Sequence, residues 1–461
     1  MIGPEASTAP PATAEPPAGG QPLPDGAGQP LPDGAPLPQG AGQPPSQGGG
    51  QPPPEGGGKP RSRGLGRLRE ANLFNVTFLA FLTALVLGAI LILVTSPAVL
   101  HAWSRIGTAP GNAFAVSWHT VANAYSAMFE GSVFNPSAVG HAIETGHGWT
   151  AAFSPLSETL VSATPLMLAG MGVAIGFSTG VFNIGAQGQL IGGALAALFV
   201  GFELNVTIWV HLPLVIIAGA VGGAVVGFVP GILKARTGAH EVIVTIMLNY
   251  IMLYLLVYLL TTAPFQQPGQ TNSISKIMPV SARLPHLFGS TLRVNGGLIV
   301  ALLVLVWASW LLRRSTLGFS FRVIGMNPLA GKTAGMDVKK VTVLVLMLSG
   351  ALAGLAGMAS VSGTDFFIST AYGGGIGFNA ITVALLGRNR PLGVFLGSLL
   401  FGALITGGRN MQAVTGIDLD LTTIIQALII FMVATPALVR DMYRLKDTGK
   451  SMTQLISKGW G

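Results

Sequence analysis

The sequence predicts an all-α polytopic membrane protein of about ten transmembrane helices, with two glycine-rich helix breaks and a disordered N-terminal tail. Three observations carry that prediction. Half of the 461 residues are hydrophobic and only 9% are charged, more apolar material than a soluble core of that length requires. Several windows exceed the roughly 18 consecutive apolar residues that cross a bilayer. The basic residues also segregate, twenty to one side of the expected spans and five to the other, as the positive-inside rule requires of a multi-pass protein with both termini cytoplasmic. The net charge of +8 therefore reflects topology and not nucleic-acid binding.

Residues 1–58 are rich in Pro, Gly and Gln, with the octapeptide GQPLPDGA repeated at 20–27 and 28–35. They offer almost nothing to bury, so a disordered cytoplasmic tail is expected. The segment lacks the basic start and apolar run of a signal peptide. Residues 59–71 form a basic juxtamembrane segment, and 72–438 the transmembrane domain. The first span is expected at 72–96. The stretch 97–153 holds no run apolar enough to cross, and 114–129 suits the interface. Spans two to four fall at 156–177, 188–202 and 212–233. In the fourth, Gly219, Gly223, Gly227 and Gly231 share one helical face and invite close approach by another backbone. Spans five and six fall at 242–262 and 296–312, separated by a polar outer loop. A cytoplasmic connector, 313–340, then leads to span seven at 341–361. Span eight opens at the second glycine-rich break, 371–379, and ends near Gly387. Spans nine and ten fall at 391–407 and 421–438, before a basic cytoplasmic tail, 439–461.

The first break is the most informative stretch. Residues 180–197 read GVFNIGAQGQLIGGALAA and place Asn183, Gln187 and Gln189 between apolar segments. An amide in hydrocarbon costs several kcal/mol unless it finds a partner or lines a wet cavity. Broken helices with polar groups at the break are how many transporters build a binding site. The second break repeats the pattern, because Phe182-Asn183 and Phe378-Asn379 each stand at a glycine-rich interruption. Amides suit hydroxyls and heterocycle edges, and the phenylalanines suit a planar solute face. Asn249, in span five, suits either the same pathway or a bond to a neighbouring helix.

Other chemistries are poorly supported. Residues 325–333 read GMNPLAGKT, but the glycine spacing is wrong for a phosphate loop and no βαβ pattern surrounds it. There is no cysteine, so disulfides and thiolate metal sites are excluded. His101, His119, His141 and His147 share the first outer segment, where ordinary loop histidines suffice. No catalytic constellation, metal site or cofactor motif is expected. The spans carry few ionisable groups, which counts against an ion-coupled carrier. Energy supplied by another subunit fits better, and the connector 313–340, with two potential short helices around Asn327-Pro328, is the natural receiver.

These pieces resemble the permease subunits of bacterial ABC importers of the ribose/branched-chain amino-acid class, most of all the nucleoside permeases. The resemblance rests on GVFNIGAQGQ (180–189), HEVIVTIMLNYI (240–251), the connector motif starting GMNPLAGKTAGMDVKK (325–358) and GFNAITVALLGRNRPLGV (377–394). Gln187 fills a position that usually holds an acid or amide; the departures are Gly331-Lys332-Thr333 before Ala334-Gly335-Met336, and the proline-rich tail. The resemblance implies a permease without catalysis of its own in the cytoplasmic (inner) membrane. Its implied partners are a cytoplasmic ABC ATPase subunit, a second and homologous non-identical permease, and an extracytoplasmic solute-binding lipoprotein. It implies nucleosides as solutes, with Phe182, Asn183, Gln187, Gln189, Asn249, Phe378 and Asn379 as pathway candidates. Asn327, Pro328, Gly331 and Gly335 are the candidates for coupling to the ATPase. A ribose-type sugar permease is the near alternative and an ion-coupled secondary transporter the distant one.

Overall fold

The structure, a computed structural model, describes residues 73–289 and 291–444. The expected tail (1–58), the basic segment (59–71) and most of the C-terminal tail lie outside the described residues. α1 (Leu73–Thr95) is followed by α2 (Pro97–Ser104), α3 (Pro110–Ser132) and α4 (Pro136–Thr145). Then come α5 (Trp149–Ser178), α6 (Ala186–Glu203), α7 (Ile208–Thr237), α8 (Glu241–Leu259) and α9 (Gly297–Arg314). The connector folds as α10 (Thr316–Met326) and α11 (Pro328–Thr333), and α12 (Val338–Ser360) runs into a π-helical turn, Val361–Asp365. α13 (Ile376–Leu386), α14 (Pro391–Thr415), α15 (Leu419–Ala434) and α16 (Pro436–Met442) complete the described chain.

Local chemistry sets many of these boundaries. Proline occupies the first turn of α2, α3, α4, α11 and α14, where its missing N–H costs nothing. The side chains of Asn135, Ser315, Asn327, Asp337 and Asp418 cap helix N-termini. Asp337 accepts from the Lys340 amide at 3.1 Å, and that bond holds its carboxyl below the usual range.

Among the described residues seven helices, α1, α5, α7, α8, α9, α12 and α14, are long and apolar enough to cross a membrane. Every one of the ten expected spans carries a helix, but not all are full crossings. α13 has 11 residues and rises only about 16 Å, roughly half of a hydrocarbon layer of about 30 Å. The expected eighth span is thus a half-helix that starts at the second break. α14 runs on past the expected end at 407 to Thr415. Arg409, assigned from sequence to an outer loop, therefore sits within that helix. The stretch 97–153 is also more integral than expected. The far end of α3 packs on α1 and α14, where Tyr125 donates to the Leu85 carbonyl at 2.6 Å and Asn410 to the Ala127 carbonyl at 2.7 Å.

α5 and α12 form the centre, most of each being buried. α12 lies along α7, and the glycine stripe makes that possible. A Cβ on Gly223 would meet the backbone of Gly350 and Gly354, and one on Gly227 the carbonyl of Leu346. Without a hydrophobic drive between helices in lipid, such backbone contact is what holds a pair together. A second apolar cluster joins α1, α3, α14 and α15, including Val76, Ala80, Ile425 and Ile429.

Candidate functional site

The first break is built by its own amides. After α5 the chain turns at Thr179-Gly180, and Gly180 adopts φ 71°, a left-handed conformation that glycine allows cheaply. Residues 181–185 then return into the protein before α6 begins. Asn183 is fully buried. Its Nδ2 donates to Gln189 Oε1 and to Ser349 Oγ, both at 2.8 Å, and its Oδ1 accepts from the Gly185 amide at 3.0 Å. Gln189 completes the pair by donating back to Asn183 Oδ1 at 3.2 Å. Asn249 on α8 closes the other side, accepting from the Gly188 amide at 2.8 Å and donating to the Ile184 carbonyl at 2.9 Å. The bonds to the Gly185 and Gly188 amides and the Ile184 carbonyl satisfy backbone groups that the interrupted helix leaves open, and the others satisfy the buried amides themselves. Asn183 and Gln189, expected on a pathway, are held inside the protein as the fastening of the break, and Asn249, which suited either the pathway or a bond to a neighbouring helix, makes such bonds. Phe182 is half-exposed and packs on Phe177, ring centroids 5.2 Å apart.

Gln187 joins the two breaks. Its Oε1 accepts from the Gly377 amide in the first turn of α13 at 2.8 Å. A Cβ on Gly377 would run into the Gln187 backbone, so glycine is required for the two half-helices to meet.

Beyond this joint lies a cavity of about 600 Å³ between α5, α12, α13, α14 and α15, within the size range of small-molecule sites. Phe378 and Asn379 line it, the two members of the expected set that reach it. Half of the Phe378 surface is exposed, and Asn379 makes no side-chain hydrogen bond within the described protein. Four charged groups complete the wall: Glu158 on α5, Arg293 in the outer loop, Asp365 in the π-helical turn and Arg409 on α14. Glu158 and Arg293 pair at 3.1 Å. Thr422 also lines the cavity, and its buried hydroxyl has no partner among the described residues. No local signal marks the four charges, since charged residues at the ends of membrane helices ordinarily reach water.

Asp365 is held in place with care. It ends the π-helical turn that follows α12, a feature common at functional sites. The next residue, Phe366, takes φ 60°, strained for a side chain of that size. The outer loop secures this bend: the Met278 amide donates to the Phe366 carbonyl at 2.7 Å, and Asn295 donates to the Gly363 carbonyl at 2.9 Å. The Arg283 guanidinium lies over the Phe366 ring, 4.4 Å from its centroid.

At the other end, the connector meets the first break directly. Gly325, on the last turn of α10, lies so close to Ser178 and Thr179 that a Cβ there would strike their backbone. Asn327 caps α11, accepting from the Leu329 and Ala330 amides at 2.9 and 3.2 Å. Pro328 opens α11, Gly331 is buried against Ile324, and Gly335 turns at φ 79°. Met326 and Leu329 are exposed beside this cap. Among the described residues no three His, Asp or Glu side chains gather as a metal site would need.

Residues 156–434 match the family described as branched-chain amino acid transport system / permease component. The chain belongs to that family. The permease is 39% identical over 339 residues to the guanosine ABC transporter permease protein NupP of Bacillus subtilis, covering 72% of this chain and 92% of the relative. It is 36% identical over 313 residues to the nucleoside ABC transporter permease protein NupB of Lactococcus lactis, covering 66% and 85%. The glucose ABC transporter permease protein TsgB13 of Haloferax volcanii is 35% identical over 291 residues, covering 61% and 76%. No solved structure matches the permease. Both helix breaks, the cavity and the connector lie within the matched residues.

Proposed function

We propose that this permease carries nucleosides inward across the cytoplasmic membrane, driven by ATP hydrolysis in a separate cytoplasmic subunit. A second, non-identical permease pairs with it, and an extracytoplasmic solute-binding lipoprotein delivers the solute. Both termini lie in the cytoplasm. The observation that carries this reading is the cavity, which sets an aromatic face, Phe378, beside an open amide, Asn379. A flat base with a ribose attached meets both needs. A sugar meets the amide but has no flat π face to set against Phe378. The likeness to permeases named for guanosine and nucleosides supports the same solute class.

Coupling follows the chain. The exposed Met326 and Leu329 on the two short connector helices offer an apolar tip to a cytoplasmic partner. Movement of α10 is passed through Gly325 to the Ser178–Gly180 turn. From there the Asn183 fastening and Gln187 carry it to α13, one wall of the cavity.

Uptake of radiolabelled nucleosides and pentoses by cells with and without this chain tests the proposal, with a parallel ATP-depleted set. ATP-dependent nucleoside uptake that disappears on deletion is expected. Uptake that follows pentoses alone would replace the solute, and uptake that survives ATP depletion but collapses with the ion gradient would overturn the importer.

A further inference from the structure

Two charged groups in the cavity make no direct ion pair, although Asp365 lies within electrostatic reach of both Arg293 and Arg409. Glu158 and Arg293 neutralise one another, but neither Asp365 nor Arg409 forms an ion pair among the described residues. Asp365 accepts only a long bond, 3.3 Å, from the hydroxyl of its neighbour Thr364. Arg409 makes no hydrogen bond within the described protein, although it lies within electrostatic reach of Asp365. Both residues line the same cavity. Both side chains are exposed, so their hydrogen-bonding edges are open to a solute that enters the cavity.

We propose that this pair reads the base of the solute and selects a 6-oxopurine, guanine above all; the inference rests on the nucleoside reading. Guanine presents two adjacent donors, N1–H and the 2-amino group, which match the two oxygens of one carboxylate. On its other edge it presents O6 and N7, which match the fork of one guanidinium. Asp365 takes the first edge and Arg409 the second. Phe378 supplies the surface on which the ring stacks, and Asn379 remains for the ribose. Adenine reverses the pattern: its N1 lone pair meets the carboxylate and its 6-amino group meets the guanidinium. Cytosine offers the carboxylate a single amino group. The π turn, the strained Phe366 and the Asn295 tether fix the position of Asp365, as expected where a carboxylate is used for geometric readout.

The test is competition for labelled guanosine uptake by unlabelled guanosine, inosine, adenosine and uridine, in cells carrying the whole importer. Wild type, Asp365→Asn and Arg409→Met are compared. Because only this chain changes, altered ratios report on the cavity and not on the binding lipoprotein, and ratios do not depend on how much folded permease is present. Wild type should rank guanosine above inosine and inosine above adenosine. Asp365→Asn should shrink the guanosine-over-inosine advantage, since inosine lacks the 2-amino donor, on the order of tenfold. Arg409→Met should shrink the inosine-over-adenosine advantage by a similar factor. If a variant transports too little to rank, Asp365→Glu and Arg409→Lys supply the ratios instead, and each should shift them in the same sense. Unchanged ratios, or equal loss for all four nucleosides, would overturn the base-reading role and leave nucleoside transport standing. Wild-type cells that import pentoses but no nucleoside would instead remove the reading on which it rests.

Discussion

Gln187 and Gly377 stand 190 positions apart and close one hydrogen bond, the side-chain carbonyl of the first accepting from the amide of the second at 2.8 Å. That bond ties the start of α6 to the start of α13, so two interrupted helices share one joint beside the cavity. Removing the acceptor leaves a part-buried amide open, which costs about 1–3 kcal/mol. Gln187→Leu should therefore lower uptake at least tenfold, while Gln187→Glu, which keeps an oxygen there, should retain more. Initial uptake rates normalised to membrane-inserted chain check this, and equal rates for both variants would remove the joint from the transport cycle.

Asn183 and Asn379 look equivalent in sequence and should behave differently. Asn183 is fully buried and bonded on both its oxygen and its nitrogen, so Asn183→Leu should damage folding, seen as less chain in the membrane and a lower Tm after extraction. Asn379 lines the cavity, so Asn379→Leu should leave amount and Tm within error and reduce uptake. Normal Tm for Asn183→Leu would contradict its place in the fastening.

The α7–α12 contact leaves no space for side chains at Gly223 and Gly227. Overpacking usually costs about 1–3 kcal/mol, occasionally more, and here both neighbours are backbone. Gly223→Val should lower Tm and membrane levels, whereas Gly238→Ala, beside open space at a left-handed turn, should cost no more than about 1–2 kcal/mol. Thermal unfolding of the extracted permease, followed by tryptophan fluorescence, separates the two.

Gly325→Val pushes α10 away from the Ser178–Thr179 backbone, and Asn327→Ala removes a cap worth about 0.5–2 kcal/mol to the short α11. Under the proposed coupling, both should separate ATP hydrolysis from uptake. In reconstituted importer, solute-stimulated hydrolysis should fall at least several-fold while basal hydrolysis persists. Full stimulation in both variants would place the coupling elsewhere.

Glu158 and Arg293 bridge α5 to the outer loop at 3.1 Å, with both side chains partly in water. Such a pair contributes about 0–1 kcal/mol. Arg293→Gln should thus alter Tm little and change uptake through cavity charge, and the double exchange Glu158→Arg with Arg293→Glu should restore much of it. A large Tm loss in the single variant would make the pair structural.

Much of this protein is written in local chemistry. Apolar length announces the spans, glycine spacing at 219–231 the tight helix contact, and Asn-Pro at 327–328 the kink between α10 and α11. The amides at 183–189 mark a break, because polar groups among apolar residues must be answered. What answers them is not local. Asn183 finds Ser349 and Asn249 finds the 184–188 backbone, pairings between helices that no short-range pattern encodes. The same holds for the cavity wall: Asp365 and Arg409 look like loop charges in the chain. Only the packing of both α12 and α14 against α5, and the continuation of α14 past residue 407, turns them toward one space. Hydropathy and spacing fix which segments enter the membrane, since those depend on each residue's own transfer energy. Which polar groups are spent on the fold and which are left for a solute depends on three-dimensional partners, and that was decided by the tertiary structure.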